Sequence, residues 1–446
     1  MCLLKCSKNI SVLIVLFAFL GDTTLVAQEK LNAYFDHLFR NNKMMGSVAV
    51  LHNDSLFYTS SIGYADVDSK RKNDSSTKFR IASNTKTYTA VLILKAVEEQ
   101  KLRLETYLST FYPQIKNAEK ITIEQLLKHR SGIVNFTEID GNEIWDQKFH
   151  TEAEVFNYIK DFKSNFEPNT AFEYSNTNYV LLGFILEKVY QKSYATLLNE
   201  KICKPLRLNN TYFSAETDPN RHEAVSYNIQ NKYIKNSNVN FSNHPASGGI
   251  ATTAVELNRF LSGLFEGKLI SKESLALMLP ESKGEYGMGI EKARFKNPIG
   301  YIHGGRIENY FSDYWYFPAE KLGIVTLCNA VNINLGEVQN TLIQYVYGRD
   351  PILPDFNKTK DLTEDKFRKI AGTYRYKEGS QTMTISSDGK NLIGQLSDNG
   401  QMYVPYRYKS DYTFVYDDEG SILEFMPDEQ CLLLKDGDLV LEFTRI

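Results

Sequence analysis

Apolar positions change their spacing several times along the chain, and each change predicts an element. Leu31, Phe35, Leu38 and Phe39 recur at helical intervals, which predicts a helix. Two strand-like runs follow, Gly46–Leu51 and Leu56–Ser60, joined by the polar stretch His52-Asn53-Asp54-Ser55, and they read as a hairpin. Ala90–Val97 is apolar almost all round, as a helix buried inside a domain must be. Thr122-Ile-Glu-Gln125 has the form of a capping box. Tyr179–Val189 predicts a further helix, with Asn178 as its cap. Strands return at Tyr310–Phe317 and Leu322–Leu327, split by a turn at Pro318. Strands at both ends with helices between predict one sheet completed by distant segments.

Beyond residue 350 the pattern changes again. Asp350-Pro351-Ile-Leu-Pro354-Asp355 reads as the start of a linker over 351–360. Short β-rich runs then alternate with turns at Asp388-Gly389, Asp398-Asn399-Gly400, Asp417–Gly420 and Asp436-Gly437. Residues 361–446 are therefore expected to form a small antiparallel β-barrel or sandwich. At the other end, Lys5 and Lys8 precede an apolar run from Ile10 to Leu20, and Leu25-Val26-Ala27 follows. That is the layout of a signal peptide over 1–27, cleaved after Ala27, and the run is too short for a spanning helix. The expected location is outside the cytoplasm, periplasmic or secreted, with no stable membrane span after cleavage.

Composition narrows the function more than the fold. The chain has 446 residues, 42% of them hydrophobic, enough for a full core in more than one domain. Lys and Arg total 51 against 54 Asp and Glu, a net charge of −3, so nothing marks a nucleic-acid footprint. The expected partner is a small-molecule, peptide or ester substrate. Cys203, Cys328 and Cys431, the cysteines left after the signal, form no CxxC pair and are read as isolated semi-buried thiols. His129, His222, His244 and His303 lack metal-ligand spacing. No cofactor and no catalytic metal are predicted.

Candidate chemistry begins at Ser83-Asn84-Thr85-Lys86, because a serine and a lysine three apart share one helix face. Ser69/Lys72, Ser75/Lys78 and Ser387/Lys390 have the same spacing but lie in polar or turn-like stretches, where solvated surface charge accounts for them. Ser83 alone precedes a buried helix, whose N-terminus favours a developing oxyanion and whose interior depresses a lysine's pKa. Tyr174-Ser175-Asn176 supplies a phenol that can shuttle protons and an amide that can both donate and accept. His303-Gly304-Gly305 allows a backbone to approach a ligand closely. Taken singly, each is more simply a capping serine, a packed tyrosine and a turn.

Taken in order, these motifs resemble the three signatures of the serine β-lactamase and penicillin-binding protein superfamily. The likeness is to class C β-lactamase-like esterases, carboxypeptidases and D-amino-acid peptidases, and it extends over about residues 30–350. Leu126-Leu-Lys-His-Arg-Ser-Gly132, Ser247-Gly-Gly-Ile-Ala-Thr-Thr253 and Tyr286-Gly-Met-Gly-Ile290 add to it, and the tail resembles a lipocalin-like appendage. The resemblance implies an α/β (α+β) fold, with an antiparallel sheet flanked by helices and a helical subdomain over 28–350. It implies Ser83 as nucleophile, Lys86 and Tyr174 as the base pair, Asn176 as substrate-orienting amide and His303 as electrostatic partner. Gly304 and Gly305 would line the substrate strand, and the backbone N–H groups of Ser83 and Arg306 would form the oxyanion hole. The Arg306 guanidinium could also bind a substrate carboxylate. Asn169 and Asn309 stand where relatives carry glycine, and asparagine suits a left-handed turn there. The implied activity is that of a serine hydrolase acting on an ester or amide, with acyl transfer or a slowly acylating penicillin-binding sensor as alternatives.

Overall fold

The computed structural model describes residues 28–446 apart from 54, 140–146, 230–231, 237–238, 284, 294–297, 334, 355, 357–362, 380, 388–391, 397–403, 417–420 and 437–438. The expected signal peptide lies outside the described residues, as do parts of the expected linker and most of the turn residues of the tail. Two units divide the chain: one runs through Val331 and includes Leu342–Pro351, and the other holds Asn332–Thr341 and Ile352–Ile446.

The first unit is built on a six-stranded antiparallel sheet. Its strands are β1 (Met44–His52), β2 (Ser55–Ile62), β3 (Glu291–Lys292), β4 (Tyr301–Ile307), β5 (Tyr310–Phe317) and β6 (Leu322–Val331), in the order β3-β4-β5-β6-β1-β2. The N-terminal hairpin is thus closed onto the late strands through β1 and β6, with Val48 opposite Thr326 and Val50 opposite Ile324. Those two central strands are buried along nearly their whole length, which is why their sequences read as continuous apolar runs. Helix α1 (28–40) buries Leu31, Phe35 and Leu38. It meets the hairpin where the Phe35 and Tyr58 rings stack at 6.1 Å and the Tyr58 hydroxyl donates to Asn32.

Helix α2 (Thr85–Glu98) is buried on all sides, as its composition predicts. The capping box of α3 (Ile123–Leu127) has both halves: Gln125 N–H donates to Thr122 Oγ1, and Thr122 N–H donates to Gln125 Oε1. Helix α4 (Asn176–Tyr190) differs from expectation, because Ser175 rather than Asn178 stands at its N-cap. Asn178 lies inside the first turn, where it accepts from Ser131 Oγ and meets the His129 ring nitrogen. The apolar pattern starts late because this first turn carries polar contacts. Helix α5 (Ala254–Phe265) packs on β1 and β6, and its Asn258 amide donates to the carbonyls of Ala49 and Gly323.

A buried ion pair anchors the segment that leads to Ser83. Arg80 and Glu223 are both almost fully buried, with Nη2 3.2 Å from Oε2. Arg80 also donates to Ser214, and Glu223 accepts from the Tyr212 hydroxyl and the Asp218 amide. Replacing Arg80 by Met would strand the carboxylate, at a cost of about 3–5 kcal/mol. We expect the melting temperature to fall by roughly 10 °C, and the double variant Arg80→Met/Glu223→Leu to recover most of that loss. A single variant as stable as wild type in calorimetry would contradict this account.

The second unit contains a closed antiparallel barrel of eight strands, from Gly372–Tyr376 to Leu439–Arg445. Tyr374, Met383, Ile385, Phe414, Phe425 and Phe443 belong to its buried cluster. The barrel is the expected tail architecture; its kinship with lipocalins rests on the sequence resemblance alone. Cys203, Cys328 and Cys431 are free and buried rather than half-buried. Among the described residues no helix is long and apolar enough to cross a membrane.

Candidate active site

Ser83 sits on one turn of 3-10 helix, Ala82–Asn84, immediately before α2. The turn is anchored on both flanks. Ile81 N–H donates to Ile250 O, the Ser312 hydroxyl of β5 donates to Ile81 O, and Asn84 Nδ2 donates to Ser312 Oγ. Ala82 is held at φ +42°, a conformation that costs a non-glycine residue energy and persists where its surroundings over-determine it. The serine itself is half-buried, while Ala82 and Asn84 are closed off. Of the serines and lysines with the same spacing elsewhere, Ser69, Lys72, Ser75 and Ser387 are exposed, Lys78 is half-buried, and Lys390 lies outside the described residues.

Lys86 is completely buried one turn on, with Nζ 3.0 Å from Ser83 Oγ, 2.7 Å from Asn176 Oδ1 and 3.0 Å from Ser247 O. Burial holds its amine well below the ordinary lysine value. All three contacts run from Lys86 Nζ as donor, to Ser83 Oγ, Asn176 Oδ1 and Ser247 O; an amine that has lost its third proton can keep its two N–H bonds to Asn176 and Ser247 and turn its lone pair to the serine. The Asn176 amide is oriented by a relay in which its Nδ2 donates to Thr137 Oγ1, and Thr137 in turn donates to Asn135 Oδ1. Its second N–H has no partner among the described residues.

Tyr174 closes the other side of Ser83. Its hydroxyl hydrogen-bonds the serine, and Lys86 Nζ lies 4.8 Å from the centre of its ring. Burial pushes this phenol above its ordinary value, outweighing the bond to Ser83. The loop carrying Tyr174 is clamped by His129, a residue the motifs did not single out. Glu173 N–H donates to His129 O and Ser175 N–H to His129 Nδ1, while the imidazole packs on the Tyr174 ring at 4.3 Å. The signal was present in the Leu126–Gly132 segment, but spacing does not reveal a clamp across 45 residues. Asn169 takes the left-handed conformation expected of it, at φ +67°. At the β4–β5 turn the left-handed residue is Glu308, not Asn309, whose amide instead donates to Tyr227 O.

β4 lies against the Ser83 turn and carries the third motif. A side chain at Gly305 would strike Ile81 O and Ser312 Oγ and come within 2.9 Å of the Ser83 amide, so close approach requires glycine there. Gly304 is different, since a Cβ there would meet nothing within 4 Å. Arg306 follows, exposed, with its guanidinium 4.8 Å from the Phe311 ring centre. His303 departs from its expected role as an electrostatic partner. Its ring is buried and both nitrogens are engaged, Nδ1 with Gly304 O at 2.6 Å and Nε2 with the Tyr286 hydroxyl at 2.9 Å. Burial, aided by Lys86, lowers it to about 3, so it is a neutral hydrogen-bonding group.

That neutrality has a sign that can be tested. Between about pH 3 and the ordinary value of 6.5 the native His303 is uncharged while the unfolded chain binds the proton. Stability is therefore intact above pH 6.5 and lost as the pH falls through that window. We expect thermal scans from pH 7.5 to 4.5 to show a shallower decline for His303→Gln than for wild type. Equal slopes would mean that His303 is charged in the folded protein.

Two cavities meet at Ser83. One of about 530 Å³ is lined by Tyr174, Phe172, Tyr286, His303 and Gly304, with Lys128, Arg130, Glu285 and Glu291 at its polar positions. The other, of about 160 Å³, is lined by Asn176, Thr137, His244, Arg306 and Ile307. Of the residues expected from sequence, Tyr174, His303 and Gly304 line the larger cavity with Ser83, Asn176 and Arg306 line the smaller one with it, and Lys86 and Gly305 lie against Ser83 without lining either.

Comparison with known proteins agrees with this arrangement. Protein flp of Staphylococcus aureus is 28% identical over 319 residues, which are 68% of this chain; the chain spans 63% of that protein's length. A D-amino acid amidase from Ochrobactrum anthropi SV3 superimposes with a TM-score of 0.59 at 25% identity, over 69% of this chain and 91% of that one. An octameric penicillin-binding protein homologue from Pyrococcus abyssi shares the fold over 93% of this chain and 99% of its own, with a TM-score of 0.65 at 22% identity. The Beta-lactamase family model matches residues 32–347, the span that holds the sheet, the buried helix and every group around Ser83, and the chain belongs to that family.

Proposed function

We propose that this protein is an exported serine hydrolase that cleaves an ester or amide through an acyl-enzyme on Ser83. The observation that carries the reading is the setting of Lys86, whose buried Nζ lies 3.0 Å from Ser83 Oγ and is held there by Asn176 Oδ1 and Ser247 O. Lys86 takes the serine proton as Oγ attacks the carbonyl carbon. Tyr174, protonated and bonded to Ser83, gives its proton to the departing nitrogen or oxygen and is reprotonated from Lys86. The Ser83 amide, with the Arg306 amide of the neighbouring strand, holds the oxyanion. Water then attacks the acyl-enzyme by the same route in reverse. The likeness to a D-amino acid amidase supports an amide among the substrates.

The test is covalent trapping. Incubation with a fluorophosphonate should add one adduct by intact mass, mapped to the peptide containing Ser83. An adduct on another serine, or none, would overturn the reading. A fluorescent penicillin distinguishes turnover from the slow-acylating alternative, since a hydrolase releases the label and a sensor retains it.

A further inference from the structure

Ser83 lines both cavities, but the groups on its two sides are divided. Tyr174, His303 and Gly304 line the 530 Å³ side, whereas Asn176, Arg306 and Ile307 line the 160 Å³ side. If Tyr174 delivers the proton to the departing atom, the leaving group must stand where Tyr174 faces, in the large cavity. The acyl chain then extends the other way. A space of 160 Å³ is close to that filled by benzene, so it holds roughly six heavy atoms. Among the described residues its lining contains no carboxylate, and Arg306 belongs to that lining. That guanidinium stands near the Phe311 ring and pairs with no carboxylate among the described residues. Asn176, whose second N–H has no partner among the described residues, lines the same space. A planar fork of donors beside a small polar cavity is suited to a carboxylate. The large side, with the aromatic walls of Phe172 and Tyr286 and charges of both signs, suits a bulky or peptide-like leaving group.

We propose that the enzyme transfers short acyl groups ending in a carboxylate, held by Arg306, from bulky leaving groups onto Ser83. This rests on the acyl-enzyme reading above. The bond between the acyl carbon and Ser83 Oγ forms, and the bond to the leaving nitrogen or oxygen breaks as that atom takes the proton from Tyr174. Water then releases a short dicarboxylic acid.

The test uses nitrophenyl esters that share one leaving group, with spontaneous hydrolysis subtracted: butyrate, hemisuccinate and decanoate. For wild type we expect kcat/KM to favour hemisuccinate over butyrate, and butyrate over decanoate, by about tenfold or more each. Arg306→Gln should bring the hemisuccinate-to-butyrate ratio near one, and Arg306→Glu should invert it. Ile307→Ala, which enlarges the small side, should narrow the gap between butyrate and decanoate. Arg306 is exposed, so these replacements do not threaten folding. Decanoate turned over as fast as butyrate, or a hemisuccinate preference indifferent to Arg306, would overturn the assignment while leaving Ser83-dependent turnover intact. Turnover that survives in Ser83→Ala would instead overturn the acyl-enzyme reading, and this inference with it.

Discussion

Ser83→Ala is expected to lower kcat by about 10⁴-fold or more and to abolish labelling by any acylating probe. In the proposed mechanism Ser83 Oγ forms the covalent bond, and it is the point at which Lys86 and Tyr174 meet. Its removal leaves those two groups with nothing to activate. The residual rate would come from the cleft and its oxyanion donors alone. The fold should not suffer, because the turn is held by Ile81, Asn84 and Ser312 rather than by the Ser83 side chain. The measurement is therefore a pair: ester turnover with active-site titration, and a melting temperature within about 2 °C of wild type. A wild-type rate in the folded variant would place the chemistry elsewhere.

Lys86→Met is expected to cost about 10³-fold or more and to remove the acidic limb of the pH profile. In the proposed mechanism the neutral amine is the competent form. Activity should therefore rise with pH through the value of Lys86, which burial holds well below 10.5, and should fall as the pH drops and the amine is protonated. His303 contributes no inflection near 6.5, since it stays neutral down to about 3. Lys86→Arg separates a base from a mere positive charge, because a guanidinium cannot accept a proton. It should be as inactive as the methionine variant. An active arginine variant would show that the site needs a cation at this position, and the proton would have to leave Ser83 for Tyr174.

Much of this was legible in the chain because it is local or periodic. Ser83 and Lys86 lie within one helical turn, so their spacing already predicts contact. The runs of β1 and β6 are apolar on both faces because the strands are buried on both, and the tail announces its strands through regularly spaced turns. What stayed hidden depends on tertiary enclosure. His303 looks like a polar partner until burial and the Tyr286 hydroxyl account for both nitrogens. Tyr174 reads as a proton shuttle from its type, but that burial keeps its phenol protonated depends on its surroundings. His129 acts through its own backbone and ring on residues some 45 positions away, and no spacing rule covers such a clamp. Asn178 reads as a cap because its type favours caps, yet its bonds with Ser131 and His129 hold it inside the first turn of the helix.

The two glycines of the third motif, adjacent in sequence, answer to different pressures. Any side chain at 305 collides with the protein itself, so drift at that position would be purged for stability before any question of chemistry arises. A side chain at 304 would stand in the cleft and compete with the ligand instead. Position 304 is thus a place where a single codon could retune which molecules enter while the scaffold stays as it is, and it is where laboratory evolution of this enzyme should begin.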